Sequence, residues 1–164
     1  MKKIFFYNSP IGEVGIVENG YGITDIYTEK ELEDKEKLIK DKNYILEETS
    51  LILEAHNELE EYFKGKRKEF TISLSPEGTE FQKKVWQELM KIPYGETRSY
   101  KDIAIKIGKP TAARAIGMAN NKNRMLIVIP CHRVIGQNGS LVGYASGVDM
   151  KKYLLELEEK HKND

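Results

Sequence analysis

Apolar residues in the first third of the chain gather into short β-prone runs at Lys2–Tyr7, Glu13–Val17 and Ile23–Tyr27. Asn8-Ser9-Pro10 with Gly12 separates the first two, and Gly20-Tyr21-Gly22 the last two. Runs of this length broken by turn residues predict three strands of an antiparallel meander. Glu29–Lys42 is mostly charge, with Leu32, Leu38 and Ile39 as its apolar members, and predicts a solvated helix or a connector. From Thr49 to Lys64 the positions Ile52, Ala55, Leu59, Tyr62 and Phe63 return at helical spacing, and Gly65 stands where a helix stop belongs. Phe70–Leu74 alternates like one further strand. Ser75-Pro76-Glu77-Gly78 then reads as a linker, dividing a scaffold domain at 1–75 from a second domain at 76–164.

The second stretch is patterned mainly for helices. Thr79-Glu80-Phe81-Gln82 has the capping-box form, and Phe81, Val85, Trp86 and Leu89 share one face of the helix it starts. Ile92-Pro93-Tyr94-Gly95 ends that helix. Ser99 starts the next, whose Tyr100, Ile103, Ala104 and Ile107 fall at i, i+3, i+4 and i+7. Gly108-Lys109-Pro110 breaks it, and Thr111–Gly117 opens a third. Helix, short glycine turn, helix is the helix-turn-helix pattern. Ala112, Ala113, Ala115, Gly117 and Ala119 make the second of these helices small-sided, and Arg114 stands off its Ala112/Ala115/Ile116 face. A tightly packed core helix has the same small residues, but one long cation on a smooth surface suits insertion into a nucleic-acid groove. Ile127–Ile135 is a short apolar run that predicts a buried strand or extended segment presenting Cys131, with the turn Gly136-Gln137-Asn138-Gly139 after it. Met150, Tyr153, Leu154 and Leu157 form the face of a last helix. Glu158 falls just beside that face, and on pattern alone it is a surface residue.

Charge sharpens this picture. The 164 residues carry 26 basic and 26 acidic side chains, so the net charge is zero. Residues 1–75 balance at −5 and residues 76–164 at +5, while Phe81–Arg133 alone reaches +8. Such asymmetry suggests a polyanion partner for the basic half. The single cysteine excludes an internal disulfide or a multi-cysteine zinc site, and His56, His132 and His161 have no metal-ligand spacing. No metal and no cofactor is expected. No run is long enough to span a membrane and Met1-Lys2-Lys3 does not open a signal peptide, so a cytoplasmic chain is expected. A lone cysteine is often a small buried hydrophobe. The adjacent His132 and Arg133 argue for reactivity instead, because cationic neighbours favour thiolate over thiol.

Several motifs occur in one unbroken order. They are Phe81-x-x-x-Val85-Trp86, Ile92-Pro93-x-Gly95, Ser99-Tyr100-x-x-Ile103-Ala104, Gly108-x-Pro110-x-Ala112-x-Arg114-Ala115-Ile116-Gly117, Asn123, and Ile129-Pro130-Cys131-His132-Arg133-Val134-Ile135. This chain resembles the O6-alkylguanine-DNA alkyltransferases, densely over residues 79 to 158 and in outline before them. The resemblance implies an α+β fold: a small N-terminal antiparallel sheet with a helix, in ribonuclease H-like outline, then a mostly helical, winged helix-turn-helix-like domain carrying the cysteine. It implies a monomer that acts on double-stranded DNA containing O6-alkylguanine, docks in the minor groove and flips the damaged base into a pocket.

Residue by residue, the resemblance makes Cys131 the nucleophile, His132 its base through a water, and Glu158 the group that holds the histidine. Asn123 would brace the turn beside the site. Tyr100 would donate to the extruded base, at N3. Arg114 would fill the gap in the duplex, with Ala112, Ala113 and Gly117 on the docking surface. The Val134 carbonyl and the Ala145 amide would contact the guanine, with Lys151 near the pocket. Arg133 is expected in a structural ion pair. The sequence departs from the family at Arg124, where proline usually follows the asparagine, and at Ala145-Ser146, where many members have Ser-Gly. The amino-terminal zinc ligands of some members are absent.

The chemistry of such a transfer is not only that of the sulfur. A free cysteine of pKa about 8.5 is already a few per cent thiolate at neutral pH, so a much lower pKa adds only a couple of kcal/mol. Most of the acceleration must come from holding the alkyl carbon in line and neutralising guanine as it departs, which gives Tyr100 a necessary role. With no second cysteine or cofactor to restore the thiolate, each chain is expected to act once. Two alternatives belong to other classes. A non-enzymatic binder of alkylated DNA would lack the reactive cysteine. A cysteine hydrolase would use Cys131 and His132, and neighbours on an extended segment, pointing to opposite faces, are poorly placed for a direct pair, a constraint that a bridging water relaxes.

Overall fold

Three β-strands form where the first three apolar runs stand: β1 (Lys2–Ser9), β2 (Gly12–Glu18) and β3 (Ile23–Tyr27). The computed structural model of the protein describes residues 1–141 and 147–164, and these divide into two units, Met1–Glu77 and Gly78–Asp164. In the first unit β1 and β2 are antiparallel, with Ser9 opposite Gly12 across a tight turn, and β2 pairs with β3 in the same sense. The helix α1 (Lys35–Lys40) follows a series of turns inside the charged stretch and buries none of its residues.

The first three strands are the expected antiparallel meander, but the sheet as a whole is mixed, which corrects the expected antiparallel sheet. A three-residue strand β4 (Tyr44–Leu46) adds to β1 in parallel, giving the order β3-β2-β1-β4. Its Ile45 and Leu46 are exposed, so no buried face imposes a two-residue period on the sequence there. The helix α2 (Ser50–Phe63) starts at Thr49, whose hydroxyl accepts from the Ile52 amide. It lays Ile52, Ala55, Leu59 and Tyr62 on the sheet, where Ile4, Val14 and Ile16 are buried. Phe70–Leu74 is not a strand. Only Leu74 bridges to Ile23, because Thr71 instead gives its amide and hydroxyl to the buried carboxylate of Glu58, at 2.9 and 2.7 Å.

The second unit is a helical assembly built around a cysteine-bearing turn. Thr79 and Gln82 complete the capping box of α3 (Glu80–Leu89), which buries Val85, Trp86 and Leu89. Ser99 and Asp102 do the same for α4 (Tyr100–Lys106). The turn through Gly108 leads to α5 (Ala113–Asn121), which packs on α3 and α4. The Trp86 indole donates to the Ala119 carbonyl at 2.9 Å, tying the end of α5 to α3. Two short parallel strands, β5 (Arg98–Ser99) and β6 (Val134–Ile135), join the start of α4 to the segment after the cysteine. The chain closes with α6 (Val148–His161). Among the described residues no helix is long and apolar enough to cross a membrane.

The apolar run before the cysteine is not the strand its composition predicts. Residues 126–129 turn tightly, with Val128 N donating to Leu126 O at 2.8 Å and Ile129 N to Met125 O at 3.0 Å, and Cys131–Arg133 forms one 3-10 turn. Ile127 sits at φ +73°, a conformation costly for a β-branched residue and sustained here by its neighbours' burial. Pro130 lacks the donor a ladder would need. The run is apolar because all of Met125–Ile129 is buried, not because it belongs to a sheet.

Candidate active site

Cys131 heads the 3-10 turn and is 5% exposed, at the meeting point of three elements. From the loop after α5, Asn123 gives its side-chain amide to the Cys131 sulfur at 3.1 Å and to the Ile129 carbonyl at 2.8 Å, while its oxygen accepts from Met125 N at 2.9 Å. One side chain thus braces both arms of the loop and touches the sulfur. Arg124 itself is exposed, so the brace is closed without a proline after the asparagine. Asn120, one turn earlier on α5 and 2% exposed, donates to the Cys131 carbonyl at 3.3 Å.

His132 and Arg133 both turn away from solvent toward Glu158 on α6. His132 Nε2 lies 2.6 Å from Glu158 Oε2. Arg133 Nε donates to Oε1 at 2.8 Å and Nη2 to Oε2 at 3.1 Å, and Nη1 donates to the Ile92 carbonyl at 2.7 Å. The Gly95 amide reaches Oε1 at 3.1 Å, from a backbone at φ +80° that glycine adopts readily. Burial pushes the Glu158 carboxyl up, but the donors from His132 and Arg133 outweigh it and hold the group down at about 2. It is therefore a carboxylate, and the His132 nitrogen facing it must carry a proton. Burial also lowers the His132 pKa, against the pull of Glu158 and with the Arg133 and Lys151 cations adding to the fall. A neutral ring with its proton on Nε2 leaves Nδ1 as the basic nitrogen. That Nδ1 is buried and has no hydrogen-bond partner among the described residues. Arg133 is in the expected ion pair, and it has a consequence: it fixes the charge of the group that fixes the histidine.

Lys151 is fully buried on α6, and its ammonium donates to the Val134 carbonyl. Burial depresses its pKa to about 8, while the charge of Cys131 acts in the opposite direction. Lys151 also lies 6.0 Å from the centre of the Tyr100 ring. Tyr100, half-buried at the start of α4, has its pKa raised by burial first and by Cys131 second, with a hydrogen bond from Asn120 opposing. It stays a protonated donor at neutral pH. Lys151, Leu154 and Glu158 form the buried stripe of α6, so the face of this helix is offset from the one its apolar residues predict. Ala145 lies outside the described residues.

On the other side of α5, Arg114, Ala115 and Met118 are exposed, while Ala112, Ala113 and Gly117 are half-buried. A Cβ at Gly117 would lie 3.7 Å from the Tyr100 ring, so the smooth face of α5 adjoins the tyrosine. No cluster of three or more histidine, cysteine or acidic side chains among the described residues could hold a metal ion. The arrangement suits a thiol that is deprotonated toward a fixed imidazole and a phenol that donates near it.

Two family models together account for nearly the whole chain: the ribonuclease-like domain of 6-O-methylguanine DNA methyltransferase over residues 3–76, and its DNA binding domain over residues 80–160. The chain belongs to the methylated-DNA–protein-cysteine methyltransferase family. It is 50% identical over 151 residues to the methylated-DNA–protein-cysteine methyltransferase of Methanosarcina barkeri, covering 92% of this chain and 93% of that one. The constitutive Bacillus subtilis protein of the same name is 45% identical over 153 residues, covering 92% and 91%. Among solved structures, Mycobacterium tuberculosis OGT in complex with DNA matches at a TM-score of 0.87 and 39% identity, over 97% of this chain and 94% of that chain.

Family membership separates what the motifs anticipate from what they leave out. The structure bonds Asn123 to Cys131 and His132 to Glu158 around one 3-10 turn, sets Lys151 on the Val134 carbonyl, and keeps Arg114 apart on the open face of α5. Asn120 and Gly95 are absent from the sequence-based site. Asn120 has one signal in the sequence, its place four residues after Ile116 on the buried side of a small-sided helix. Gly95 stands in the motif Ile92-Pro93-x-Gly95, but its side chain gives no hint of a role played by a backbone amide.

Proposed function

We infer that this chain repairs alkylated DNA by direct reversal, moving an alkyl group from O6 of a guanine to Cys131 and ending its own activity. The observation that carries this reading is the Cys131 sulfur held by Asn123 beside a neutral imidazole, whose Nε2 is committed to Glu158 and whose Nδ1 has no partner among the described residues. The thiol proton passes to Nδ1 through a water, and the resulting imidazolium is stabilised by the Glu158 carboxylate. The sulfur lone pair forms a bond to the alkyl carbon as the carbon–oxygen bond breaks, and that electron pair flows into the guanine ring. The Tyr100 hydroxyl gives its proton to the ring at N3, exchange with solvent then leaves that proton at N1 where guanine carries it, and the imidazolium proton later restores the phenol through solvent. A thioether and an intact guanine remain.

The base must leave the duplex for this to happen, at a cost of a few kcal/mol. Arg114, exposed on α5 beside the small residues Ala112, Ala113 and Gly117, is suited to occupy the vacated space, and the basic face supplies phosphate contacts. The half-buried Tyr100 sits against that face and feels the charge of Cys131. One chain contains every group the reaction needs, which supports action as a monomer. Neither alternative is favoured, since Cys131 is present where a damage binder lacks it and the relatives are named as methyltransferases to a protein cysteine.

The test is transfer of a labelled methyl group from duplex DNA bearing O6-methylguanine. Label is expected on the peptide containing Cys131, at no more than one methyl per chain, and none is expected with Cys131→Ser. Release of many methyl products per chain, or label on another residue, would overturn the assignment.

A further inference from the structure

The helix α5 turns one face inward, with Ile116, Ala119 and Asn120 buried, and leaves Arg114, Ala115, Met118 and Asn121 exposed on the other. Met118 lies one turn after Arg114 and is 65% exposed, a large apolar side chain on a face otherwise cationic, small or polar. Single apolar side chains on a surface are ordinary, so exposure alone says nothing. Its place says more. Residues 103–148 carry six basic side chains and no acidic one, so the segment that holds α5 suits a polyanion. The minor groove of a duplex is about 6 Å wide, whereas a helix with its side chains is about 10–12 Å across. Ala113, Ala115 and Gly117 make α5 slim, but a groove that admits it must still open. The walls of that groove are deoxyribose rings, apolar edges between the phosphates. An unbranched thioether side chain adapts well to such an irregular surface.

We propose that Met118 is an apolar wedge for duplex DNA, one that lies against the sugar edges of the minor groove and holds the groove open beside Arg114. The proposal rests on the docking of α5 inferred above. Arg114 and Met118 are about 6 Å apart along the helix axis, or about two base-pair steps of about 3.4 Å. A helix lying along the groove therefore sets the wedge about two steps from the base that Arg114 replaces. Arg114 acts where the stack is broken, and Met118 acts on the duplex that remains. Its contact is uncharged and needs a groove with two walls. It therefore favours duplex over a single strand and leaves the number of displaced counterions unchanged.

Met118→Ala, in the full-length chain, is expected to weaken binding of undamaged duplex roughly tenfold in a fluorescence titration. The slope of that affinity against salt is expected to match wild type, since no charge is removed. Affinity for the same sequence as a single strand, and the rate of Cys131 alkylation by iodoacetamide, are expected to stay within about twofold of wild type. Met118→Leu keeps the apolar contact and is expected to bind duplex like wild type. Met118→Gln, of similar length but polar, replaces the alanine variant if that one does not fold. Duplex affinity within about twofold of wild type, an equal loss on single strand, or an equal loss toward iodoacetamide would overturn the proposal, leaving Met118 a solvated or structural side chain. A wild-type chain that binds duplex in this Met118-dependent way but takes no methyl group would support the wedge and overturn the repair reaction alone.

Discussion

Replacing Glu158 by glutamine removes one charge and almost no volume, at a point where four donors converge. His132 Nε2, Arg133 Nε, Arg133 Nη2 and the Gly95 amide all lie within 3.1 Å of its oxygens. Two routes give the size of the effect. A carboxyl whose ordinary value of 4.5 is held at about 2 in the folded chain contributes about 3 kcal/mol at neutral pH, one pKa step being about 1.4 kcal/mol. Stranding Arg133, 6% exposed, without its counter-ion costs roughly 3–5 kcal/mol by comparison with other broken buried pairs. The two agree, so Glu158→Gln is expected to lose about 3 kcal/mol at pH 7. The sign of the pH dependence follows. The folded pKa is depressed, so the contribution is complete above the ordinary value of 4.5 and drains away as pH falls from there toward about 2. Urea unfolding of wild type and variant, followed by the fluorescence of the single tryptophan Trp86 in the same unit, reads the difference at each pH. A gap near 3 kcal/mol at pH 7 that closes below about pH 4.5 is expected. A gap that is small at pH 7, or that does not change down to pH 3, would refute the reasoning. The same variant is expected to transfer methyl at least a hundredfold more slowly, in keeping with the roughly 10²–10⁴-fold worth of a general base, because the new amide can donate to Nε2 and move the ring proton onto Nδ1.

Arg114→Ala, changing an exposed residue, is expected to leave urea stability within about 0.5 kcal/mol of wild type and to impair repair of duplex far more than attack on free O6-methylguanine base. Equal losses on the two substrates, measured in single-turnover assays, would argue against its place in the vacated stack. Lys151→Met removes a cation whose pKa falls on folding from 10.5 to about 8. The unfolded chain binds the extra proton between those values, so wild type is expected to gain about 2 kcal/mol relative to the variant between pH 8 and pH 10, as urea midpoints at those two pH values would show. Binding of undamaged duplex is expected to weaken steeply with salt and to depend little on sequence, and a flat salt response in a fluorescence titration would contradict phosphate-led docking.

How much of this was legible in the sequence depends on what each residue's pattern reports. The helix starts at Thr79 and Ser99 were readable, because a hydroxyl and a side chain three residues on satisfy specific backbone amides and leave a local signature. The helix-turn-helix was readable from its spacing and its glycine break. The strand β4 was not, since three residues on an exposed edge bury no periodic face. The segment before Cys131 misled for the opposite reason. Met125–Ile129 is apolar throughout and looks like a core strand, yet its backbone is satisfied by tight turns and by Asn123. Apolar composition reports burial, and burial alone does not distinguish a ladder from a folded loop.

The last helix carries this argument into the site. Hydropathy places its inner face at Met150, Tyr153, Leu154 and Leu157, but the stripe that is actually buried is Lys151, Leu154 and Glu158, and Tyr153 is 38% exposed. Two charges stand where a pattern reader looks for apolar side chains, so the rotation of the helix cannot be found from periodicity. The charges are tolerated because each has its partner in place: Glu158 has Arg133 and His132, and Lys151 has the Val134 carbonyl and the nearby charge of Cys131. Those partners all lie within Cys131–Val134, so the helix is turned by the very segment it serves. A hydrophobic replacement of both charges would suit the packing better, and would leave the imidazole with nothing to hold its proton on the far nitrogen. The feature that hides this helix from sequence reasoning is therefore the one that gives the cysteine its base.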